Sequence, residues 1–250
     1  MYKCERENEI LELLNETEYA TVDYLARKMN ISPSSIRRDL KNLEERGLVN
    51  RSYGGVKIAN STGKCIPFSL RSRENSPQKK QIAKAAATLI NTGDTVFLDG
   101  SSTAYFVAEL LPAIGGVTVV TNSIDAMSYL SRYDVKTYCT GGELSPENKA
   151  VLIGGYAQDF LSRIRADAAI FSVQAVSANG DFFDCYSEEV AIRNQMIKNA
   201  RRRILLCDSS KWNRTSTFYQ GNVRDIEYIV SERDPSELFT DPTPEKYILA

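Results

Sequence analysis

Small polar side chains follow directly after a short apolar run near the middle of the chain. Residues 95–98 are rich in apolar side chains, and they lead into Asp99, Gly100, Ser101, Ser102 and Thr103. A buried parallel strand that ends at a helix N-terminus presents free N–H groups and a partial positive charge, which suit phosphate. The stretch therefore predicts a phosphate-binding turn, with an ordinary strand–turn and a serine N-cap as the alternative.

Similar polar residues recur after the other predicted strands. The carboxyl ends of parallel strands meet at one edge of a sheet, so these side chains are expected to converge there. Hydroxyls, N–H groups and a cation suit a phosphate, whereas acids and amides suit sugar hydroxyls. Each residue taken alone is more often a cap or a turn residue than a ligand contact. The predicted group comprises Asp99, Gly100, Ser101, Ser102, Thr103, Thr121, Asn122, Gly142, Glu143 and Lys211.

Several kinds of catalytic and metal chemistry are excluded by composition. The 250 residues contain no histidine, which removes Ser-His-Asp and Cys-His catalysis and imidazole metal sites. The five cysteines are scattered without a CxxC spacing, which disfavours a zinc site or a disulfide framework. The nucleotide motifs GxGxxG and GxxxxGK[ST] are absent as well. We therefore predict no catalytic residue, no metal and no cofactor.

Positive charge is concentrated in one segment, although the formal net charge of the chain is −1. Residues 27–84 hold 14 basic and 4 acidic side chains, whereas residues 1–26 hold 2 and 7, and residues 85–250 hold 15 and 21. Such a segment is typical of a face that binds a polyanion. A basic surface that faces only solvent would have the same composition.

The elements around this basic segment follow a helix-turn-helix pattern. Helices are predicted over residues 5–16, from Thr21 to residue 29, and from Pro33 to about residue 46, and a hairpin is predicted around Gly54-Gly55. A recognition helix fits the major groove, and a wing adds contacts to the DNA backbone. The predicted DNA contacts are Ser34, Ser35, Arg37, Arg38 and Lys41 on the third helix and Arg51 on the wing.

The segment over residues 31–56 resembles the DNA-binding signature of the DeoR family of bacterial transcription regulators. This resemblance implies a winged helix-turn-helix that binds a double-stranded DNA operator. Helix-turn-helix proteins bind as oligomers, so a homodimer or homotetramer is expected. The matching residues are Ile31-Ser32, Ser35-Ile36-Arg37-Arg38-Asp39-Leu40, Leu43-Glu44, Gly47-Leu48, Arg51 and Gly54-Gly55.

The rest of the chain alternates predicted strands and helices, which is typical of a parallel sheet with helices on both faces. We predict an α/β fold with a DNA-binding domain over 1–59, a linker over 60–76 that is mostly extended over 64–75, and a sensor domain over 77–250. The predicted strands are 95–99, 117–122, 135–140, 168–173, 203–208 and 227–231, and the predicted helices are 77–91, 103–111, 123–132, 155–164 and 187–202.

This second part also resembles the DeoR family, through its sugar-phosphate-sensing domain, which is similar in fold to ribose-5-phosphate isomerases. The family motifs fall at residues 99–103, 121–123, 141–143 and 208–211, and the resemblance adds Arg193 to the effector site. Two positions depart from the family pattern. Ser101 stands where many members have glycine, and Arg193 replaces the usual lysine, which implies a changed effector preference.

Together these features predict a cytoplasmic transcription regulator of a sugar-metabolism operon that responds to a phosphorylated sugar. A repressor is expected, because that is the most frequent role in the family. No membrane partner is predicted, since the chain has no apolar run of about 18 residues and its N-terminus is charged.

Two other classes of function are weighed against this one. The first is a sugar-phosphate isomerase-like enzyme with an accessory DNA-binding domain, in which Asp99, Glu143 or Asp167 would act as general base. The paired acidic motif of the isomerases is not matched here, which disfavours it. The second is an interaction module without a small ligand, which the polar strand ends disfavour.

Overall fold

The computed structural model describes residues 3–17, 19–45, 48–52, 55–58, 68–234 and 246–250. The chain divides into two compact units, Met1–Arg71 and Ser72–Ala250. The finer limits predicted from the sequence, with a linker over residues 60–76, stay a prediction.

Three helices and a two-stranded hairpin build most of the first unit, in the predicted order. Thr21 caps the second helix, because its Oγ1 accepts the N–H of Tyr24 at 3.1 Å. At the start of the third helix, Ser32 Oγ accepts the N–H of Ser35 at 3.3 Å. The elements are α1 (Lys3–Thr17), α2 (Val22–Met29), α3 (Pro33–Glu45), β1 (Val49–Ser52), β2 (Gly55–Ile58) and α4 (Phe68–Arg71).

One apolar cluster holds these helices together. Ile10 and Leu14 of α1, Leu25 of α2, and Ile36 and Leu40 of α3 are fully buried in it. Spacings of three or four residues place such side chains on one face of a helix. Because each buried side chain of this size contributes about 1.5–3 kcal/mol, this core fixes α2 and α3 relative to each other.

The wing is an antiparallel hairpin in which Val49 pairs with Ile58 and Ser52 pairs with Gly55. The prediction that Gly55 lies in the turn is wrong, because Gly55 is the first residue of β2. A Cβ on Gly55 would lie 2.2 Å from the ring of Tyr19, so glycine is needed for the ring to pack there. The turn residues 53–54 and the predicted end of α3 at residues 46–47 lie outside the described residues.

Residues 68–71 of the predicted linker are helical where the sequence predicts a mostly extended chain. Phe68–Arg71 forms the short helix α4, and the guanidinium of Arg71 lies 6.0 Å from the centre of the Phe68 ring. One helical turn brings residues i and i+3 together, so the helical conformation allows this contact. Residues 59–67 lie outside the described residues, and the prediction for them is not tested.

A seven-stranded parallel sheet with helices is the main part of the second unit, which confirms the predicted fold class. The strand order is β14-β13-β11-β8-β3-β4-β5. The elements are α5 (Ser76–Ala87), β3 (Thr95–Leu98), α6 (Ser102–Ala108), α7 (Leu111–Ile114), β4 (Thr118–Thr121), α8 (Ile124–Leu130), β5 (Lys136–Cys139), β6 (Glu143–Leu144), β7 (Leu152–Ile153), α9 (Gly155–Ser162), β8 (Ala166–Ser172), β9 (Ala175–Val176), β10 (Asp181–Asp184), α10 (Ser187–Lys198), β11 (Ala200–Leu206), β12 (Phe218–Asn222), β13 (Tyr228–Ser231) and β14 (Tyr247–Leu249).

The central strand β3 is buried on both faces of the sheet. Val96 and Leu98 lie in an apolar layer with side chains of α5 and α6, whereas Phe97 lies in the opposite layer with side chains of α9. Successive residues of a strand point to opposite faces, so the continuous apolar run predicted here corresponds to a strand covered on both sides. Because β3 pairs with β8 and β4, the residue after it, Asp99, emerges at the middle of the sheet edge.

Several helix limits differ from the prediction. The helix predicted over 77–91 has Asn75, not Ser76, at its N-cap and ends at Ala87. Residues 103–111 split into α6 and α7, because Pro112 lies in the first turn of a new helix. Residues 200–202 are strand rather than helix, since pairing with β8 overrides the helix propensity of arginine. Among the described helices, none is both long and apolar enough to cross a membrane.

Three small elements have no counterpart in the prediction. β12, β10 and β9 form a separate antiparallel sheet, and the aromatic segment at residues 181–184 forms its middle strand. β6 and β7 form a hairpin, named here the 143–153 hairpin. β14 extends the main sheet beyond β13.

Candidate DNA interface and effector site

The third helix of the first unit presents the predicted DNA contacts on its free face. Ile36 and Leu40 are buried, whereas Ser34, Arg37, Arg38 and Lys41 are exposed and Ser35 is half-buried. A helix of 3.6 residues per turn separates these two sets because its apolar positions recur every three or four residues. The exposed face carries two guanidinium groups and one ammonium group, which can bind phosphates and guanine edges.

The cations of the wing and of the end of α3 lie close to acidic side chains. Arg51 Nη1 is 3.6 Å from Glu44 Oε2, and the backbone N–H of Arg51 donates to Glu44 Oε1 at 3.2 Å. Lys41 Nζ is 3.8 Å from Glu45 Oε1. Pairs this exposed contribute about 0–1 kcal/mol, so a DNA phosphate can replace the carboxylate at little cost.

Asp39, which lies inside the DNA-binding signature, faces away from the exposed face of α3. Its carboxylate is fully buried and accepts two hydrogen bonds from Arg6 of α1, at 2.5 Å from Nε and 2.9 Å from Nη2. The hydrogen bond to Asp39 raises the pKa of the Arg6 guanidinium. Asp39 therefore joins α3 to α1. Its position between the core residues Ile36 and Leu43 is the sequence signal for this role.

In the second unit, Asp99 is the centre of a buried polar cluster. Its Oδ1 accepts the N–H and the hydroxyl of Ser101 at 3.1 and 2.6 Å. Its Oδ2 accepts Arg193 Nε at 2.9 Å and the N–H of Ser172 at 3.4 Å. The carboxylate thus connects the end of β3 to the end of β8 and to α10.

Arg193 lies between two carboxylates. Besides Asp99, its Nη1 donates to Asp184 Oδ2 at 2.8 Å and to Gln220 Oε1 at 2.7 Å. Burial by itself lowers the pKa of the Arg193 guanidinium, but Asp184 and Asp99 outweigh it and raise the pKa well above its ordinary value. Arg193 therefore stays charged, and its Nε and Nη1 groups are committed to partners within the protein. This limits the role in phosphate binding that the family resemblance implies.

Two hydroxyls of the predicted site have local structural roles. Ser101 is the N-cap of α6, since its Oγ accepts the N–H of Ala104 at 3.2 Å. Thr121 Oγ1 donates to the carbonyl of Leu98 at 2.7 Å and accepts the N–H of Ser123 at 3.0 Å. Ser102 and Thr103 are buried in the first turn of α6, where helix N–H groups have no partner within the helix.

The 143–153 hairpin covers the turn after β3. A Cβ on Gly100 would lie 2.0 Å from Cγ1 of Val151, so glycine is needed here for the hairpin to pack. Gly142 has φ +101, and a Cβ there would lie 2.3 Å from the carbonyl oxygen of Ile153. Gly142 and Glu143 are exposed, whereas the other predicted effector residues are buried or half-buried.

Lys211 is connected to the cluster through Ser172. Its Nζ donates to Ser172 Oγ at 2.7 Å and lies 3.5 Å from Asp208 Oδ2. Burial by itself raises the pKa of Asp208, but the Lys211 ammonium and the Ser210 hydroxyl outweigh it, so the pKa lies below its ordinary value. Asn75 Nδ2 donates to Asp208 Oδ1 at 3.3 Å and to Ser210 Oγ at 3.1 Å, which links the start of α5 to this turn.

Four polar atoms of this cluster are buried without a hydrogen-bond partner in the described part of the chain. They are Asn122 Oδ1, Thr103 Oγ1, Gln220 Nε2 and Asp208 Oδ2, of which the last lies 3.5 Å from Lys211 Nζ. Asn122 Oδ1 lies 3.7 Å from where a Cβ on Gly100 would be. Gln220, Asp184 and Ser172 are not among the residues predicted from the sequence. Their presence depends on contacts with the second sheet and between strands, which no local motif indicates.

Family models of known proteins match the sequence of each unit separately. Residues 6–62 match the family model of the DeoR-like helix-turn-helix domain, and residues 74–233 match that of the DeoR C terminal sensor domain. Among solved structures, the chain is similar to ribose 5-phosphate isomerase A from Methanocaldococcus jannaschii, with a TM-score of 0.42 and 18% sequence identity, over 55% of this chain and 54% of that one. The matched part spans about half the length of the isomerase.

Several similar proteins are transcription regulators. The chain is 32% identical to the HTH-type transcriptional repressor GlcR of Bacillus subtilis, over 96% of this chain and 93% of that protein. It is 28% identical to the glycerol-3-phosphate regulon repressor of Escherichia coli, over 94% and 93%, and 33% identical to the L-fucose operon activator of Haemophilus influenzae, over 91% of each. With both units matched in the order in which they occur, the chain belongs to the DeoR family of transcription regulators.

Proposed function

We propose that this regulator is a repressor of a carbohydrate operon and that its affinity for DNA changes when a phosphorylated sugar or polyol binds beside Asp99. The observation that carries the proposal is the buried polar cluster, in which Asn122 Oδ1 and Thr103 Oγ1 have no partner within the described residues. More than about 90% of buried polar groups in proteins are hydrogen-bonded. Unpaired atoms at the carboxyl ends of β3 and β4 therefore favour a ligand at this edge of the sheet.

The chemistry of the cluster favours a ligand with hydroxyl groups. Asn122 Nδ2 donates to the carbonyl of Leu152 at 3.0 Å, and a carbonyl can only accept, so the free Asn122 atom must be the oxygen. That oxygen requires a donor, which a sugar hydroxyl supplies and a phosphate dianion does not. Asp99 and Asp184 place two negative charges against one positive charge at Arg193. We therefore place the phosphate end toward Lys211 and the first turn of α6.

The names of the relatives support the class of effector. Among them are a glycerol-3-phosphate regulon repressor and an L-fucose operon activator, and both names refer to small polyhydroxylated compounds or their phosphates. Because one of these proteins is an activator, the sign of regulation in this chain has to be measured.

The geometry disfavours the isomerase alternative. Asp167 Oδ2 accepts the N–H of Thr95 at 2.9 Å, at the amino ends of the strands and thus at the edge opposite to Asp99. Glu143 is exposed on the 143–153 hairpin. Asp99 is occupied by four hydrogen bonds within the protein, so it is poorly placed to remove a proton from carbon.

For the DNA, the proposed contacts are Arg37, Arg38, Lys41, Ser34 and Ser35 of α3 and Arg51 of the wing. A homodimer or homotetramer would present two such helices about 34 Å apart, one turn of DNA. Sedimentation of the full chain with and without a duplex that carries the upstream region of its own gene measures this assembly.

The test of the proposed function is fluorescence anisotropy of that labelled duplex, titrated with the full chain at fixed salt. A panel of hexose, pentose and triose phosphates is added, with the unphosphorylated sugars and inorganic phosphate as controls. We expect one phosphorylated compound to change the DNA affinity about tenfold or more, in line with coupling free energies of ~1–3 kcal/mol. DNA binding that no panel member changes would remove the effector proposal and leave only the DNA-binding one.

A further inference from the structure

Gln220 lies at an irregularity in the small antiparallel sheet. In the pairing of β10 with β12, Phe182 is opposite Gly221 and Phe183 is opposite Tyr219, so Gln220 is the extra residue of a β-bulge. A Cβ on Gly221 would lie 2.7 Å from the ring of Phe182, so glycine is needed beside the bulge. Bulges redirect a side chain and are frequent next to functional sites. Here the bulge carries the side chain of Gln220 to Arg193.

The orientation of the Gln220 amide follows from its partner. Its Oε1 accepts Arg193 Nη1 at 2.7 Å, and a guanidinium can only donate, so the oxygen must face Arg193. The amide nitrogen is then the other atom, and Nε2 is buried without a hydrogen-bond partner among the described residues. Gln220 therefore holds a fixed, unused N–H donor beside the polar cluster.

The charges around Nε2 determine which kind of oxygen can accept its hydrogen bond. Arg193 carries one positive charge, and its partners Asp99 and Asp184 carry two negative charges at 2.9 and 2.8 Å from it. A phosphate oxygen placed next to these carboxylates would be repelled. A hydroxyl or carbonyl oxygen has no net charge and can accept from Nε2 without that repulsion.

We propose that Gln220 is a specificity-determining residue of the effector site and that its Nε2 donates a hydrogen bond to a neutral oxygen of the sugar part of the effector. This inference rests on the effector site proposed above. It assigns to the second sheet a task distinct from phosphate binding, namely selection among phosphorylated sugars. A site that hydrogen-bonds one hydroxyl discriminates strongly against compounds that lack it, because the site would otherwise bury an unpaired donor.

The test uses the full chain and the substitution Gln220→Glu. Glutamate keeps an oxygen for Arg193, replaces the Nε2 donor with an acceptor and adds one negative charge. Isothermal titration of the same sugar-phosphate panel, with inorganic phosphate as a further probe, gives the affinities. Gln81→Glu is the matched control, since Gln81 is exposed on α5 and the change adds the same charge. Gln220→Met is measured beside it, because it removes the donor without adding charge, and circular dichroism checks that both variants fold.

We expect Gln220→Glu to lower the affinity for the compound that wild-type protein binds best by about tenfold or more. The order of affinities within the panel should change as well. In Gln220→Met, which adds no charge, affinity for inorganic phosphate should change less than twofold, and Gln81→Glu should match wild type. Unchanged affinities in both variants at position 220, or one uniform loss for all compounds including phosphate in Gln220→Met, would overturn the inference while the effector site stands. If wild-type protein binds no panel member, the proposed effector site itself fails.

Discussion

Two buried carboxylates, Asp39 and Asp99, each hold an arginine from a distant part of the chain. Arg6 is 33 residues from Asp39, and Arg193 is 94 residues from Asp99. Removing one partner of such a pair leaves a buried charge without compensation, which is far more costly than losing an exposed pair. These residues therefore link elements that the chain order does not bring together.

The substitution Asp39→Asn should lower the free energy of unfolding of the first unit by about 1.5–3 kcal/mol, because it replaces two charge-assisted hydrogen bonds from the partly exposed Arg6 guanidinium. Urea unfolding of the full chain, followed by circular dichroism, measures the change. Glu45→Ala is the control: it breaks the exposed Lys41–Glu45 pair and should cost no more than about 0.5 kcal/mol. If the two substitutions lower the free energy of unfolding equally, the Arg6–Asp39 pair contributes no more to stability than an exposed pair.

The low pKa of Asp208 predicts that its contribution to the stability of the second unit depends on pH. Its pKa in the folded protein lies below the ordinary value, so the ionised carboxylate favours folding at any pH above the unfolded-state pKa of about 3.9. This stabilisation is lost as the pH falls through the folded-state pKa. Asp208→Asn should therefore be less stable than wild type at pH 7, and the difference should shrink below about pH 4. Denaturant midpoints at a series of pH values test this, and a difference independent of pH would contradict it.

At the scale of single residues, the sequence predicts side chains that follow a strand or recur on a helix face. Asp99, Asn122 and Arg37 are examples. It does not predict that Gln220 and Asp184 join the polar cluster around Asp99, because both reach Arg193 from the small antiparallel sheet. The contact depends on a bulge and on how two sheets pack, which are three-dimensional properties without a local pattern. For the same reason the internal partners of Arg193 are visible only in the structure.

At the scale of elements, the 143–153 hairpin is the part of the proposed effector region that the strand–helix pattern does not predict. Its strands have two residues each, too short for a periodic signal. The central parallel strands β3, β4 and β8 are predicted well, since each is a largely apolar run that is buried on both faces. The hairpin contacts the turn after β3 through Val151, so its position depends on the space that Gly100 leaves.

The substitution Gly100→Ala should destabilise the second unit by about 1–3 kcal/mol, because the added Cβ overlaps Val151 Cγ1. Val151→Ala removes that Cγ1, so the double substitution should recover part of the loss relative to the sum of the two single changes. Thermal unfolding of the four proteins gives the coupling free energy. Additive losses would mean that the hairpin does not pack on Gly100 in solution.

At the scale of the whole molecule, the two units divide the work between DNA and effector. Substitutions on the exposed face of α3 should therefore affect DNA binding and spare effector binding. This division is predictable from the sequence, since positive charge is concentrated in residues 27–84 and the polar strand ends lie beyond residue 98.

The substitution Arg37→Ala should reduce DNA affinity, with the largest effect on the specific site, if Arg37 contacts a base edge; a loss of about 1–3 kcal/mol is expected. Arg51→Ala should weaken all duplexes alike and reduce the slope of log K against log salt by about 1, as loss of a phosphate contact does. Anisotropy titrations at several salt concentrations distinguish the two. Effector binding by calorimetry should be unchanged in both variants.

The strand order of the parallel sheet has a consequence for how the protein is made. The first unit is complete after residue 71, whereas β3 at the centre of the sheet pairs with β8, whose residues leave the ribosome about 70 positions later. The edge strand β14 ends at Leu249. At roughly 5–20 residues per second, the helix-turn-helix can fold on the order of 10 s before the sheet has its outer strands. A nascent chain can thus bear a finished DNA-binding unit while its sensor is still unfolded.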